Sequence, residues 1–239
     1  MSNEPRGLLI TGTDTGVGKT VVTSGIAGAL RRRGLWVAPF KPAESGCASE
    51  EGSKRLIAAD AELLRRACGT QAPLDTICPY RFAPPLAPWV AAEQAGVTID
   101  PLRLEQCYND LAASHDAVLV ETAGGILVPL SGSLHYADLA RLLRVPVVVV
   151  AGSKLGAINH ARLTLEFVEA AGLETIACVL NHPFGETNAA IETNEATLRR
   201  LTTVPVFVIP HRAGGIEPWD DSMFDPLALH VEACLRGGG

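Results

Sequence analysis

Six short apolar runs, most of them without polar alternation, set the strongest limit on how this 239-residue chain can fold. They span 8–10, 35–40, 117–120, 145–151, 176–180 and 204–209 and are rich in Val, Ile and Leu. A strand with one face in water alternates apolar and polar residues. A strand buried on both faces does not, and such strands belong to parallel sheets. Segments of helical length and spacing lie between the runs, at 19–33, 53–68, 101–114, 158–171 and 188–201. Gly34, Gly69 and Gly172 follow three of them, as left-handed helix caps would. The alternation predicts an α/β fold, a mostly parallel central sheet flanked by helices on both faces. No repeat, charge block or long linker interrupts the pattern, so a single domain over 1–239 is expected. The proline-rich stretch 78–88 reads as an ordered loop.

Composition narrows the partners. With 47% hydrophobic residues and a net charge of −6, the chain can bury a sizeable core and is not disordered. Asp and Glu (26) outnumber Lys and Arg (20), which disfavours a nucleic-acid partner. The run 145–151 falls far short of the roughly 20 residues a membrane helix needs, so no membrane partner is expected. The polar start, 1–7, does not read as a signal peptide. The six cysteines form no CxxC pair and no zinc spacing with His, and they read as reduced thiols of a cytoplasmic protein.

The unusual polar residues sit just after the apolar runs. In a parallel sheet the strand ends of one polarity share an edge, and ligands bind outside the carboxyl ends. Segments 11–20, 41–46, 121–125, 153–159, 181–182 and 210–212 would then converge on one cleft. The first, GTDTGVGKT over 12–20, stands between a strand and a helix, a phosphate-loop context. Backbone N–H groups at a helix start and glycine-permitted turns form an anion nest. Lys19 would lie along the β- and γ-phosphates of a nucleotide, and the Thr20 hydroxyl would hold Mg²⁺. The leading Gly12 stands one position further back than the strict motif, which here has Thr13.

The chain has only four lysines, Lys19, Lys41, Lys54 and Lys154, and three of them follow apolar runs. A compact ammonium suits a place between anions, although Lys154 alone reads equally as a surface residue. Asp60 falls at helical spacing with Leu56, Leu63 and Leu64, where a carboxylate needs a partner. That partner is Mg²⁺, a salt bridge or a cap. Glu121 ends the third run and reads as a metal ligand or as an ordinary strand-terminal acid. Thr20, Asp60 and Glu121 together match the hydroxyl and carboxylate inventory of Mg²⁺.

Five segments, 12–20 (GTDTGVGKT), 41–46 (KPAESG), 84–92 (PPLAPWVAA), 121–125 (ETAGG) and 154–160 (KLGAINH), resemble the dethiobiotin synthetase family in sequence and order. The longer phosphate loop is that family's form. Thr122 stands where the family usually has Gly, and the segment after Pro210 matches weakly. The resemblance implies a P-loop NTPase-like fold and an ATP- and Mg²⁺-dependent ligase. Its substrate would be 7,8-diaminononanoate, which takes up CO₂ as a carbamate. ATP would phosphorylate the carbamate, and the second amine would close a cyclic urea.

By the same resemblance, Lys41, Lys19 and Lys154 serve catalysis. Gly16, Val17, Gly18, Lys19, Thr20, Val21, Asp60, Glu121, Thr122, Ala123 and Gly124 surround the phosphates. Asn181, His182, Pro210, His211 and Arg212 line the base pocket, with Asn181 on adenine or, alternatively, in a turn before Pro183. Thr15 and Ser45 contact the substrate. The first turn at Gly156, Ala157, Ile158 and Asn159 binds its carboxylate, contributed across a homodimer.

Three other readings compete. Cobyrinate and cobyrate amide synthases carry a further glutaminase domain, for which this chain has no room. Partition and septum-positioning ATPases carry a lysine five residues before the phosphate-loop lysine, where this chain has Asp14. A non-enzymatic nucleotide scaffold has no use for a lysine-rich cleft.

Overall fold

A computed structural model describes residues 7–49, 52–53, 55–185, 187–212, 214 and 217–237. Lys54 and the first six residues lie outside these. In chain order the elements begin with β1 (Gly7–Gly12), α1 (Lys19–Arg32), β2 (Val37–Phe40), β3 (Ala43–Ser45), β4 (Ala48–Ser49) and β5 (Leu56–Ile57). Next come α2 (Ala59–Cys68), α3 (Leu74–Ile77), β6 (Tyr80–Phe82), α4 (Pro88–Gln94), α5 (Pro101–Ser114) and β7 (Ala117–Gly125). Then follow β8 (Pro129–Ser131), β9 (Leu134–His135), α6 (Tyr136–Leu143), β10 (Val147–Gly152) and α7 (Ala157–Ala170). The chain closes with β11 (Thr175–Asn181), α8 (Ala189–Leu201), β12 (Val206–Ile209) and α9 (Asp225–Leu235).

Each of the six apolar runs contributes one strand to a single sheet in the order β12-β11-β10-β1-β7-β2. Every pairing within it is parallel. Alternate side chains enter opposite cores, as the strand's two-residue period requires. Leu8, Ile10, Val148 and Val150 pack with Ile26 of α1 and Val231 of α9. Leu9, Val147 and Val149 pack with Leu111 of α5, Leu139 of α6 and Val168 of α7. Pro39 is accommodated because β2 is an edge strand.

The chain runs from central β1 to the edge at β2, returns to β7 beside β1, and then builds outward on the other side. Strand order therefore reverses around β1. A crevice opens there at the carboxyl ends, the position where open α/β sheets hold ligands. Gly34, Gly69 and Gly172 do have positive φ, at 87°, 63° and 70°.

Three local expectations are corrected. The helix expected over 53–68 starts only at Ala59, because Leu56 pairs with Ser49 in the antiparallel β4–β5 ladder. Leu56 therefore does not share a helical stripe with Asp60. The proline-rich stretch 78–88 is not wholly loop, since β6 pairs in parallel with β3. Glu121 does not end its strand. β7 continues to Gly125, past an irregularity in its pairing with β1 that brings Gly125 opposite Gly12.

Candidate active site

The phosphate loop leaves β1 through two glycines with left-handed backbone, Gly16 at φ 74° and Gly18 at φ 90°. Side chains with a Cβ rarely adopt that region. Gly18 has a second reason to be glycine, because a Cβ there would lie 2.1 Å from Asn181 Nδ2. The Asn181 amide donates to the Val17 carbonyl at 2.8 Å, pinning the loop to the end of β11. Gly18 is also the N-cap of α1 and offers no side chain to the first N–H groups of that helix. Those N–H groups, with the positive end of the helix dipole, suit a phosphate. Lys19 opens α1 and is buried. Burial lowers the pKa of its ammonium and the Lys41 charge lowers it further, against the pull of Glu121, Asp60 and Asp14.

Lys41 follows β2 and lies at the centre of an ionic cluster. Its Nζ donates to Glu121 Oε1 at 2.6 Å and to Asp60 Oδ2 at 2.9 Å. The Lys41 and Glu121 side chains are 4% and 0% exposed, and that of Asp60 is 45% exposed. Burial pushes the Lys41 pKa down, but the Glu121 and Asp60 carboxylates outweigh it and hold the ammonium above its ordinary value. The two carboxylates thus favour the charged ammonium over the neutral amine. Asp60 thus pairs with Lys41.

The cluster reaches the phosphate loop through Glu121. Its Oε1 accepts from Thr20 Oγ1 at 3.0 Å and its Oε2 from Thr23 Oγ1 at 2.6 Å. A buried ion cluster is a poor source of stability, because the desolvation it costs offsets its attraction. Its place in the cleft argues for chemistry instead. Two carboxylates and a hydroxyl linked through shared hydrogen bonds are hard oxygen donors of the kind Mg²⁺ takes. Among the described residues no three His, Cys, Asp or Glu side chains group to hold a metal alone.

A cleft of about 660 Å³ gathers Thr15, Gly16, Gly18, Lys19, Thr20, Val21, Lys41, Ser45, Asp60, Thr122, Ala123 and Gly124. Pro85, Leu86, Pro88 and Val128 line its apolar side. The segment 84–88 is tied to segment 41–46, since Gly46 N–H donates to the Pro84 carbonyl at 3.1 Å. Thr122, at the family's usual glycine position, turns its hydroxyl onto the Gly124 carbonyl at 2.7 Å and so fits without a free polar group.

Other predicted residues stand apart from this cleft. Lys154 pairs with Asp14 at 3.8 Å, with both side chains more than half exposed. Gly156 caps α7 at φ 91°, so Ala157, Ile158 and Asn159 do form a first helical turn. His182 follows β11, and its backbone N–H donates to the Ile209 carbonyl at 2.9 Å. Burial lowers the His182 pKa. Pro210 and His211 are exposed after β12, and Arg212 pairs with Asp221 at 3.1 Å. Of these segments, Lys154 meets the phosphate loop at Asp14, and His182 follows Asn181, whose amide bonds the Val17 carbonyl.

Thr23 and Glu44 were not singled out in the sequence. Thr23 lies one turn beyond Lys19 on the face of α1 toward β7, and that spacing is a weak signal. Glu44 stands inside KPAESG, but its contact with α2 is visible only in three dimensions.

Known proteins share this sequence and fold. A family model described as an AAA domain matches residues 6–213. The chain is similar to the ATP-dependent dethiobiotin synthetase BioD of Anaeromyxobacter dehalogenans, 46% identical over 206 residues, 86% of this chain and 90% of the relative. The enzyme of that name from Pseudomonas aeruginosa is 41% identical over 231 residues, 96% and 97% of the two chains. Among solved structures, the septum site-determining protein MinD with Mg-ADP from Pyrococcus horikoshii matches at TM-score 0.54 and 17% identity, over 94% of each chain. A plasmid partition protein of Borrelia burgdorferi bound to AMPPNP matches at TM-score 0.57 and 14% identity, over 98% and 100%. At such identities the structural likeness shows a shared P-loop NTPase fold and nothing of the partition or positioning role.

Proposed function

Since this chain belongs to the ATP-dependent dethiobiotin synthetase family, we propose that its cleft closes 7,8-diaminononanoate and CO₂ to a cyclic urea as follows. One amine adds to CO₂ and loses a proton, giving a carbamate. A carbamate oxygen attacks the γ-phosphorus and ADP leaves. The second amine then attacks the carbamoyl carbon, and inorganic phosphate and a proton depart as the five-membered ring closes.

The difficult step brings two anions together, the carbamate and the triphosphate. At 4 Å two unit charges repel by about 4 kcal/mol at an effective dielectric of 20. Fixed cations in the cleft offset this, since they need no reorganisation as charge moves. Lys19 serves the β- and γ-phosphates and Lys41 the carbamate–γ-phosphate gap. Lys41 stays protonated, so it stabilises charge and takes no proton. Thr20, Asp60 and Glu121 would hold Mg²⁺, which would supply charge neutralisation across the phosphates. Thr15 and Ser45 hydrogen-bond the diamine, and Asn181, His182, Pro210, His211 and Arg212 border the base. The first turn of α7, Gly156–Asn159, receives the substrate carboxylate from the neighbouring subunit of a homodimer, and Lys154 adds positive charge nearby. A reduced, cytoplasmic setting suits the cysteines, all free among the described residues.

One observation carries this reading. Lys41 bonds Glu121, and Glu121 bonds Thr20, so the second strand's lysine is fixed against the phosphate loop. The test is Lys41→Met, which keeps the chain length and removes the charge. The expected result is a kcat lower by roughly 100- to 1000-fold, with nucleotide affinity by calorimetry within about threefold of the parent. A near-normal kcat removes Lys41 from the mechanism.

A further inference from the structure

Glu44 lies three residues after Lys41 and directly before Ser45, and it is 6% exposed. Its carboxylate spans two backbone donors. Oε1 accepts from the Asp60 N–H and Oε2 from the Ala61 N–H, each at 3.0 Å. These N–H groups belong to the first turn of α2, whose N-cap is Ala58, a residue with no polar side-chain atom. Ala58 is wholly buried, so water does not satisfy these donors in place of a cap. A carboxylate from β3, fourteen positions before Ala58, takes the capping role instead.

The location of this cap matters more than the capping. A local cap would end the helix equally well but would leave α2 free to shift against β3. The Glu44 clamp joins the backbone of Asp60 to the strand segment that carries Lys41 and Ser45. The Asp60 side chain is nearly half exposed, so packing does little to aim it. Its direction is set by the Lys41 ammonium at the carboxylate and by the first turn of α2 at the backbone, and that turn is held through Asp60's own N–H.

We infer that Glu44 is a positioning residue, whose carboxylate clamps the first turn of α2 and thereby presents Asp60 to the metal and to Lys41. This rests on the proposed metal role of Asp60. Residues that orient a metal ligand typically change metal affinity by about 10- to 100-fold when lost.

The test measures Mn²⁺ binding by electron paramagnetic resonance, with a non-hydrolysable ATP analogue present, in Glu44→Ala, Asp60→Ala and the double variant. Glu44→Ala is expected to weaken Mn²⁺ about tenfold while binding of the analogue in EDTA stays unchanged. In the Asp60→Ala background it is expected to add nothing, because the clamp acts through Asp60. Glu44→Gln, whose amide oxygen still accepts one N–H, is expected to recover part of the loss, and it carries the test if Glu44→Ala does not fold. Faster amide hydrogen exchange at Asp60 and Ala61 in the Glu44 variants is the accompanying structural sign. A loss in Asp60→Ala with none in the Glu44 variants overturns the clamp alone, as does an equal loss in both backgrounds. An unchanged affinity in Asp60→Ala overturns the metal role and the clamp with it.

Discussion

At Glu121 three donors from two elements meet one carboxylate: the Lys41 ammonium and the hydroxyls of Thr20 and Thr23. The two hydroxyls do different work. Thr20 faces the cleft, so its loss should be read in metal-dependent binding. Thr20→Val is expected to weaken nucleotide affinity with Mg²⁺ present by about tenfold or more, and to leave it unchanged in EDTA; calorimetry with and without the metal decides this. Thr23 is fully buried, and its 2.6 Å bond to a charged acceptor has no water to replace it. Thr23→Val keeps the shape and strands one carboxylate oxygen. A stability loss of about 1–3 kcal/mol is expected by urea unfolding, with Thr23→Ser restoring most of it. The phosphate-loop residues and Glu121 are legible in the sequence because local pattern announces them: glycines before Lys19, and an acid closing an apolar run. Thr23 and Glu44 are not legible, because their roles come from contacts 98 and 16 residues away in the chain.

Among the elements, α1 carries the phosphate loop at one end and is braced along its length by the segment before α9. Two of its glycines make room for that brace. A Cβ on Gly28 would fall 1.9 Å from the Trp219 carbonyl oxygen, and one on Gly25 would fall 2.3 Å from the Phe224 ring. Helix propensity alone favours Gly28→Ala by about 1 kcal/mol. The clash is with backbone, which cannot rotate away, so overpacking wins. A net loss of about 1–3 kcal/mol is expected in thermal or urea unfolding; a gain would show that the brace is not where it is described. Asp221 ties the brace further, accepting from Met223 N–H at 3.0 Å and pairing with Arg212. The Met223 N–H and the Arg212 guanidinium hold its carboxyl below the ordinary 3.8. The depressed value means that its stabilisation is present above the unfolded pKa and fades as pH falls through the folded one. Asp221→Asn keeps the cap but loses the Arg212 pair, and is therefore expected to be less stable than the parent by up to about 1 kcal/mol at neutral pH, with the gap closing below 3.8. A gap that widens in acid would contradict the assignment. The six sheet strands are legible in the sequence because burial on both faces strips them of polar residues. The start of α2 is not, since its cap comes from β3. Nor is α6, an eight-residue helix whose start rests on a reciprocal bond between His135 and Asp138.

Across the whole molecule, the sheet order puts the ends of β1, β2 and β7 side by side, and the ionic cluster follows from that adjacency. Size alone does not mark the site. A second cavity, also about 660 Å³, is lined by Arg31, Trp36, Cys68 and Asp110, yet it holds none of the lysines that the chemistry needs. Charge and hydrogen-bond geometry distinguish the two. Among the described residues no helix is long and apolar enough to cross a membrane. The proposed function is a coupling of ATP cleavage to ring closure of a diamine in the Lys19–Lys41 cleft. Its most direct test is ADP release with the diamine, ATP, Mg²⁺ and isotopically labelled bicarbonate, each omitted in turn, with the product analysed by mass spectrometry. ADP is expected to form only in the complete mixture, and one labelled carbon to enter a cyclic urea for each ADP released. ADP release at the same rate without the diamine, or without uptake of label, would contradict it.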